Sequence, residues 1–355
     1  VPFSFPTYDA PRSDESVDDL LSVEIVDPSL CGRFVATVLR NVTVGQSPAW
    51  MQNRLLQLGM RPINSIVDIS NYVMLELGQP NHTFDLATVP NGYLKVRRAD
   101  EGETLVTLDD IERTLTSIDG VITDETDTVV SLAGVMGGAS TEISETTTDV
   151  LLEMAWWDPP SISRTVKRLN LPSEASTRFR RGCDWGDNID RAMNRFIQLA
   201  TEQGAIAVAG QIDVGGDLPD RSPVRVRPAK VNGLLGTDLG AGAIAGHLAS
   251  IGFDVTANGD DLDVTVPTWR WDTATETDIA EEVARMYGYE NIVRTVPKGE
   301  NAGGLTDYQQ ARRLVRDVLA GAGCDETFPM PFLAPGDLQR AGLPEAVSYT
   351  HLTLP

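Results

Sequence analysis

The chain has 355 residues, 41% of them apolar, and a formal net charge of −22 at pH 7. That length allows two or three domains with cores of their own, and the composition excludes fibrous and disordered classes. No stretch approaches about 18 uncharged apolar residues, no signal-peptide order opens the chain, and the three cysteines are far apart, so membrane, secretory, disulfide-framework and zinc-finger readings fall away.

A cytoplasmic protein is therefore expected, and the start at Val1 suggests a piece of a longer one. The acidic balance opposes polynucleotides except at a local positive patch. Arg164, Lys167, Arg168, Arg178, Arg180 and Arg181 supply one, with Glu174 as the single acid among them.

In chain order, residues 1–19 are Pro-rich and then acidic, which reads as a linker. Gly32 to Val44 has strand alternation, and Ser47 with Pro48 opens a short helix in which Met51, Leu55 and Leu58 share a face. Ile66, Ile69, Val73 and Leu77 then recur at helical spacing, with Asn64 to cap the start and Gly78 and Pro80 to stop the helix. His82 falls on the expected turn. Ser70 and Asn71 are out of character inside a helix, where such residues compete for backbone hydrogen bonds.

Short β runs follow at Tyr93–Val96, Thr104–Leu108, Arg113–Leu115 and Thr128–Leu132, as in an antiparallel meander. The last leads into AGVMGG, whose glycines permit close backbone approach but match neither a P-loop nor a dinucleotide fingerprint. Thr148 to Ala155 reads as a buried strand interrupted by one carboxylate, Glu153, which needs a partner or a purpose. Asp158 and Pro159 open a helix through Leu169, and Asn188 opens another with Ile189, Met193, Phe196 and Ile197 as its stripe.

After a linker at 219–223, a smaller unit combines a strand, a helix near 241–250 carrying His247, and a hairpin turning at Asn258 and Gly259. It ends on a helix with Ile279, Val283 and Met286 as its core face. Asp278, Glu281 and Glu282 cluster on the other side, with Asp272 just upstream. Two readings stand for these acids: a capped, solvated face with Glu281 paired to Arg285, or a site for a hard cation such as Mg²⁺. A further helix is expected around 307–322, and VSYTHLTLP with His351 breaks the pattern as an artefact tail would.

RPINSIVDISNYVMLELGQPNHTFD, LAGVMGG, VLLEMAWWDP, SEASTRFRRG and WRWDTATETDIAEEVARMYGYENI, in this order, resemble the β subunit of bacterial phenylalanyl-tRNA synthetase over roughly residues 20–300. The resemblance implies an α+β fold: a mixed, largely antiparallel B3/B4 editing module over 20–216, then a small α+β B5 domain over 220–298. The beginning of a catalytic-like domain follows at 301–345, and 346–355 is the tail.

It further implies ATP-dependent charging of tRNA(Phe) by an α-subunit partner in a heterotetramer of two α and two β subunits. This chain would carry hydrolysis of mischarged Tyr-tRNA(Phe). Matching positions put His82, Asn71 and Ser70 in the catalytic part of that pocket and Glu153, Gly134, Gly137 and Ala175 on the substrate. Asp272, Asp278, Glu281 and Glu282 match positions associated with a Mg²⁺ shared with the α subunit. Ser70 departs from the family's usual Thr, and Asn81 and Thr83 flank His82 where apolar or small residues are common. No Ser or Cys sits in a nucleophile motif, so positioned water is the expected attacker. The rival expectation is a scaffold that binds tRNA and the α subunit with an inactive pocket.

Overall fold

The computed structural model describes residues 4–296, 303–328, 333–334 and 336–343; the tail with His351 lies outside them. Residues up to Val293 form one compact unit and those from Arg294 another. The first opens with β1 (Arg12–Ser16), β2 (Ser22–Ile25) and β3 (Cys31–Arg40), then α1 (Ala49–Gln57), α2 (Ser65–Leu77) and β4 (Asn81–Asp85). Short strands follow: β5 (Tyr93–Arg98), β6 (Thr104–Val106), β7 (Glu112–Thr114), β8 (Gly120–Thr123), β9 (Val129–Leu132) and β10 (Met136–Gly137). Next come β11 (Val150–Trp157), α3 (Pro159–Leu169), α4 (Glu174–Phe179), α5 (Asp187–Thr201), β12 (Ile206–Ala209) and β13 (Ile212–Gly215).

The larger sheet runs β1-β12-β3-β11-β4, with β13 also on β3; all its pairings are antiparallel except β1 with β12. Every residue of β11 is buried, as a central strand covered on both faces requires. A second sheet runs β10-β9-β8-β5-β2, and β6 with β7 makes a separate hairpin. The expected meander is thus split, because residues 104–114 pair with each other while β8 inserts between β5 and β9. Nor are residues 1–19 wholly a linker: β1 holds the edge of the larger sheet beside β12, and Arg12 donates to the Val208 and Gly210 carbonyls.

Helix α2 starts and stops as its sequence dictates. The Asn64 side chain accepts from the Ile66 and Val67 amides, and Gly78 closes the helix at φ 72°. Buried Asp68 accepts from the Ile63 amide and binds the Ser47 hydroxyl, tying the incoming loop to the helix. In α1, Leu58 caps the end in solvent instead of joining Met51 and Leu55 in the core.

The smaller domain comprises β14 (Val224–Val226), α6 (Pro228–Leu235), α7 (Ala241–Ala249), β15 (Asp254–Asn258), β16 (Asp261–Thr265) and α8 (Glu276–Tyr287). Its three strands are ordered β14-β16-β15, over a core containing Ile244, Leu248, Val264, Ile279 and Val283. Met286, expected on the core face of α8, is outside the core at 37% exposure. His247 stacks edge-on against Tyr287. Trp271 packs into the larger core beside Trp156 and Trp185. In the second unit, α9 (Asp307–Gly321) matches the helix expected there.

Candidate active site

His82 is a strand residue, not a turn residue. Pro80 ends the turn one step earlier, and pairing with β11 draws Asn81–Asp85 into the larger sheet. In that register His82 stands opposite Glu153, so the two side chains share one face of the sheet. That face looks onto the AGVMGG turn of the second sheet. Met136 and Gly137 pair back onto β9, and a Cβ on Gly137 would lie 2.2 Å from His82 Cε1 and 2.4 Å from Nε2. Only glycine leaves room for the ring there. Gly134 is fixed twice over, by φ +66° and because its Cβ would meet Trp157 and Ile162 at 2.8 Å.

Two adjoining cavities result. The inner one, about 50 Å³, is lined by Glu153, His82, Asn81, Gly134, Gly137, Ala175 and Phe179, among others. The outer one, about 400 Å³, shares Asn81, His82, Gly137 and Ala175 and adds Ser70, Asn71 and Glu174. All seven pocket residues expected from sequence line one or both. Sequence reasoning missed α4 and its anchor: the Ser173 hydroxyl donates to the Val135 carbonyl at 2.7 Å and accepts from the Ser176 amide. This clamps Ala175 against the glycine turn. The signal was present as a serine cap before Glu174, but the segment read as a basic patch.

The polar groups here are short of partners. Glu153 is 5% exposed, its Oε2 has no hydrogen-bond partner, and desolvation pushes its carboxyl up to about 8. The His82 side chain makes no hydrogen bond among the described residues, and burial lowers its imidazole to about 4. Burial thus favours the neutral form of both the carboxyl and the imidazole. The Asn71 amide and Ser70 hydroxyl, half-buried on α2, have no side-chain hydrogen bond among the described residues either. The two buried thiols are poorly suited to act as nucleophiles: burial raises Cys31 well above the usual range and pushes Cys183 up to about 12.

Against known families, residues 30–204 match the B3/4 domain, 224–289 the tRNA synthetase B5 domain and 292–354 the phenylalanyl tRNA synthetase beta chain CLM domain. The phenylalanine–tRNA ligase beta subunit of Halalkalibacterium halodurans is 43% identical over 326 residues, 91% of this chain and 40% of that protein. That of Geobacter sulfurreducens is 41% identical over 340 residues, 95% of this chain and 42% of that one. The chain belongs to the phenylalanine–tRNA ligase beta-subunit family. It spans about two fifths of the length of these relatives. An N-terminal fragment of the phenylalanyl-tRNA synthetase beta-subunit from Pyrococcus horikoshii is similar at 16% identity and a TM-score of 0.37, over 80% of this chain and 78% of that one.

In the B5 domain Asp272, Asp278 and Glu282 are engaged by arginines and by the start of α8. Glu282, 5% exposed, takes Arg270 on both oxygens at 2.6 and 2.7 Å and Arg285 at 3.0 Å. Asp272 holds the same guanidinium at 2.8 Å twice. Asp278 completes a capping box with Thr275 and accepts from the Ala274 and Thr275 amides. Glu281 is exposed, and the expected pairing of Arg285 goes to Glu282. Among the described residues no group of three or more His, Cys, Asp or Glu is arranged to hold a metal. These residues do not fit a Mg²⁺ site within this chain.

Proposed function

We propose that this chain carries the proofreading step of a phenylalanine–tRNA ligase, hydrolysing mischarged Tyr-tRNA(Phe). It would work as the β half of a cytoplasmic heterotetramer whose α subunit performs the ATP-dependent charging. An apolar site built for Phe rejects an isostere that merely adds a hydroxyl by only about 10²-fold, whereas a site built to bond that hydroxyl discriminates the other way by about 10⁴ to 10⁵. The observation that carries the reading is the unpaired Oε2 of Glu153 at the inner cavity, directly across the ladder from His82. A tyrosine phenol gives that neutral carboxyl a partner, and phenylalanine leaves it unpaired at a cost of roughly 1–3 kcal/mol or more.

With the phenol on Glu153, the ester reaches toward the outer cavity, where neutral His82 and Asn71 orient a water. The water oxygen attacks the ester carbonyl, and the acyl–oxygen bond to the ribose breaks. The ribose oxygen receives the proton, and free tyrosine and tRNA leave. His82, neutral at rest, takes that proton from the water as it attacks, is briefly an imidazolium, and gives the proton to the ribose oxygen. Ser70 and the backbone of residues 134–137 fix the ester. Arg164, Lys167, Arg180 and Arg181, on and just after α3 and α4, supply phosphate contacts that an otherwise acidic surface lacks.

The test is deacylation of Tyr-tRNA(Phe) by the full-length subunit assembled with its partner. Glu153→Ala and His82→Ala are each expected to lower the rate about 100-fold or more, and unchanged rates in both would overturn the reading. A second reading, a scaffold with an inactive pocket, draws support from the narrowness of the inner cavity. It predicts no deacylation by the wild type in the same assay.

A further inference from the structure

We infer that Asn81 is the receptor for the α-ammonium group of the aminoacyl ester, through its side-chain carbonyl. The inference rests on the editing reading and adds to it a residue that the resemblance does not assign. Asn81 Nδ2 donates to the Ser70 carbonyl at 3.2 Å and lies 3.5 Å from the Gln79 carbonyl. Both neighbours are acceptors only, so the amide cannot turn over, and Oδ1 is held on the opposite side. There Oδ1 is buried without a partner.

An unpaired buried carbonyl asks for a donor, and the surrounding side chains supply none. A tyrosyl ester brings two in its amino-acid part, the phenol and the ammonium. Glu153 takes the phenol. Asn81 lines both cavities and precedes His82 on β4. A tyrosyl ester that spans the two cavities passes this residue. A neutral amide suits this role, because it binds a cation by a charge-assisted bond without adding an anion beside Glu153.

The experiment compares Tyr-tRNA(Phe) with its deamino analogue, 3-(4-hydroxyphenyl)propionyl-tRNA(Phe), in the assembled full-length enzyme. Asn81→Leu should slow Tyr-tRNA(Phe) deacylation roughly 10- to 100-fold and leave the deamino ester nearly unchanged, collapsing the wild-type preference for the amino substrate. Equal losses on both esters would mean that Asn81 merely braces Ser70, and would overturn the inference while leaving editing intact. Asn81→Asp keeps an acceptor and should widen the preference for the amino ester; an unaltered preference overturns the inference even where the leucine variant does not fold. Failure of the wild type on both esters removes the editing reading itself.

Discussion

The cavity of the B3/4 region and the acidic start of α8 both gather polar side chains where water is scarce, and they treat them oppositely. Glu282 and Glu153 are each 5% exposed. Glu282 has three arginine contacts, and the hydrogen bond to Arg270 holds its carboxyl below the usual range. Glu153 has an orphaned oxygen and a carboxyl raised to about 8, and the Asn81 carbonyl nearby is orphaned as well. A buried polar atom without a partner costs stability, and where its residue lines a cavity, as Glu153 and Asn81 do, a ligand can supply the partner. The difference separates a site from a strut, although both looked alike as acids in the sequence.

Glu153→Gln is the strongest way to probe the orphaned side. Folded Glu153 keeps its proton up to about pH 8, whereas the unfolded chain releases it near 4.5. Its contribution to stability is thus fully present below about pH 4.5, declines as pH rises, and is gone above about 8, by up to roughly 1.4 kcal/mol per pH unit. Glutamine cannot ionise. The variant should match the wild type near pH 5 and exceed it in Tm near pH 9; parallel stability curves would show that Glu153 has a partner after all. His82, lowered to about 4, works in the other direction: its contribution holds above pH 6.5 and is lost as pH falls toward 4.

On the matched side, Arg270→Met should be costly. It leaves Glu282 buried with only the more exposed Arg285, and Asp272 without its ion-pair partner. A loss of roughly 3 kcal/mol is expected in denaturant unfolding. A loss under about 0.5 kcal/mol would place this cluster among surface pairs of little consequence.

Much of this was legible before the structure. Asn64, Gly78 and Pro80 announce α2 through local chemistry, and Asp158 with Pro159 announces α3, because caps act within one turn of chain. Glu153 stood out because one carboxylate in an apolar run has no local remedy. What stayed hidden is long-range. The strand character of His82 comes from pairing with β11, about 70 residues away, and β1 exists only because β12 returns beside it. Helix α4 has six residues, too short for a periodic pattern. The orphaned Oδ1 of Asn81 depends on two backbone carbonyls that no spacing rule places. In the B5 domain the sequence showed four acids but could not show that Arg270 would turn back onto two of them.

Asp278 is the finest test of the contrast, because one oxygen, Oδ2, takes all three of its hydrogen bonds at the helix end. It accepts from the Ala274 amide at 3.0 Å, the Thr275 amide at 2.8 Å and the Thr275 hydroxyl at 2.8 Å, which holds its carboxyl below the usual range. Asp278→Ala should therefore cost about 1 kcal/mol, the ordinary worth of a cap. Glu281→Ala, at an exposed position, should cost nothing measurable. Because ligand binding raises Tm by mass action, millimolar Mg²⁺ provides the sharper arm. A strut predicts no Mg²⁺-dependent rise in either the wild type or the variants. A rise in the wild type that both substitutions abolish would move these acids to the ligand-binding side, with Arg270 displaced as the ion enters.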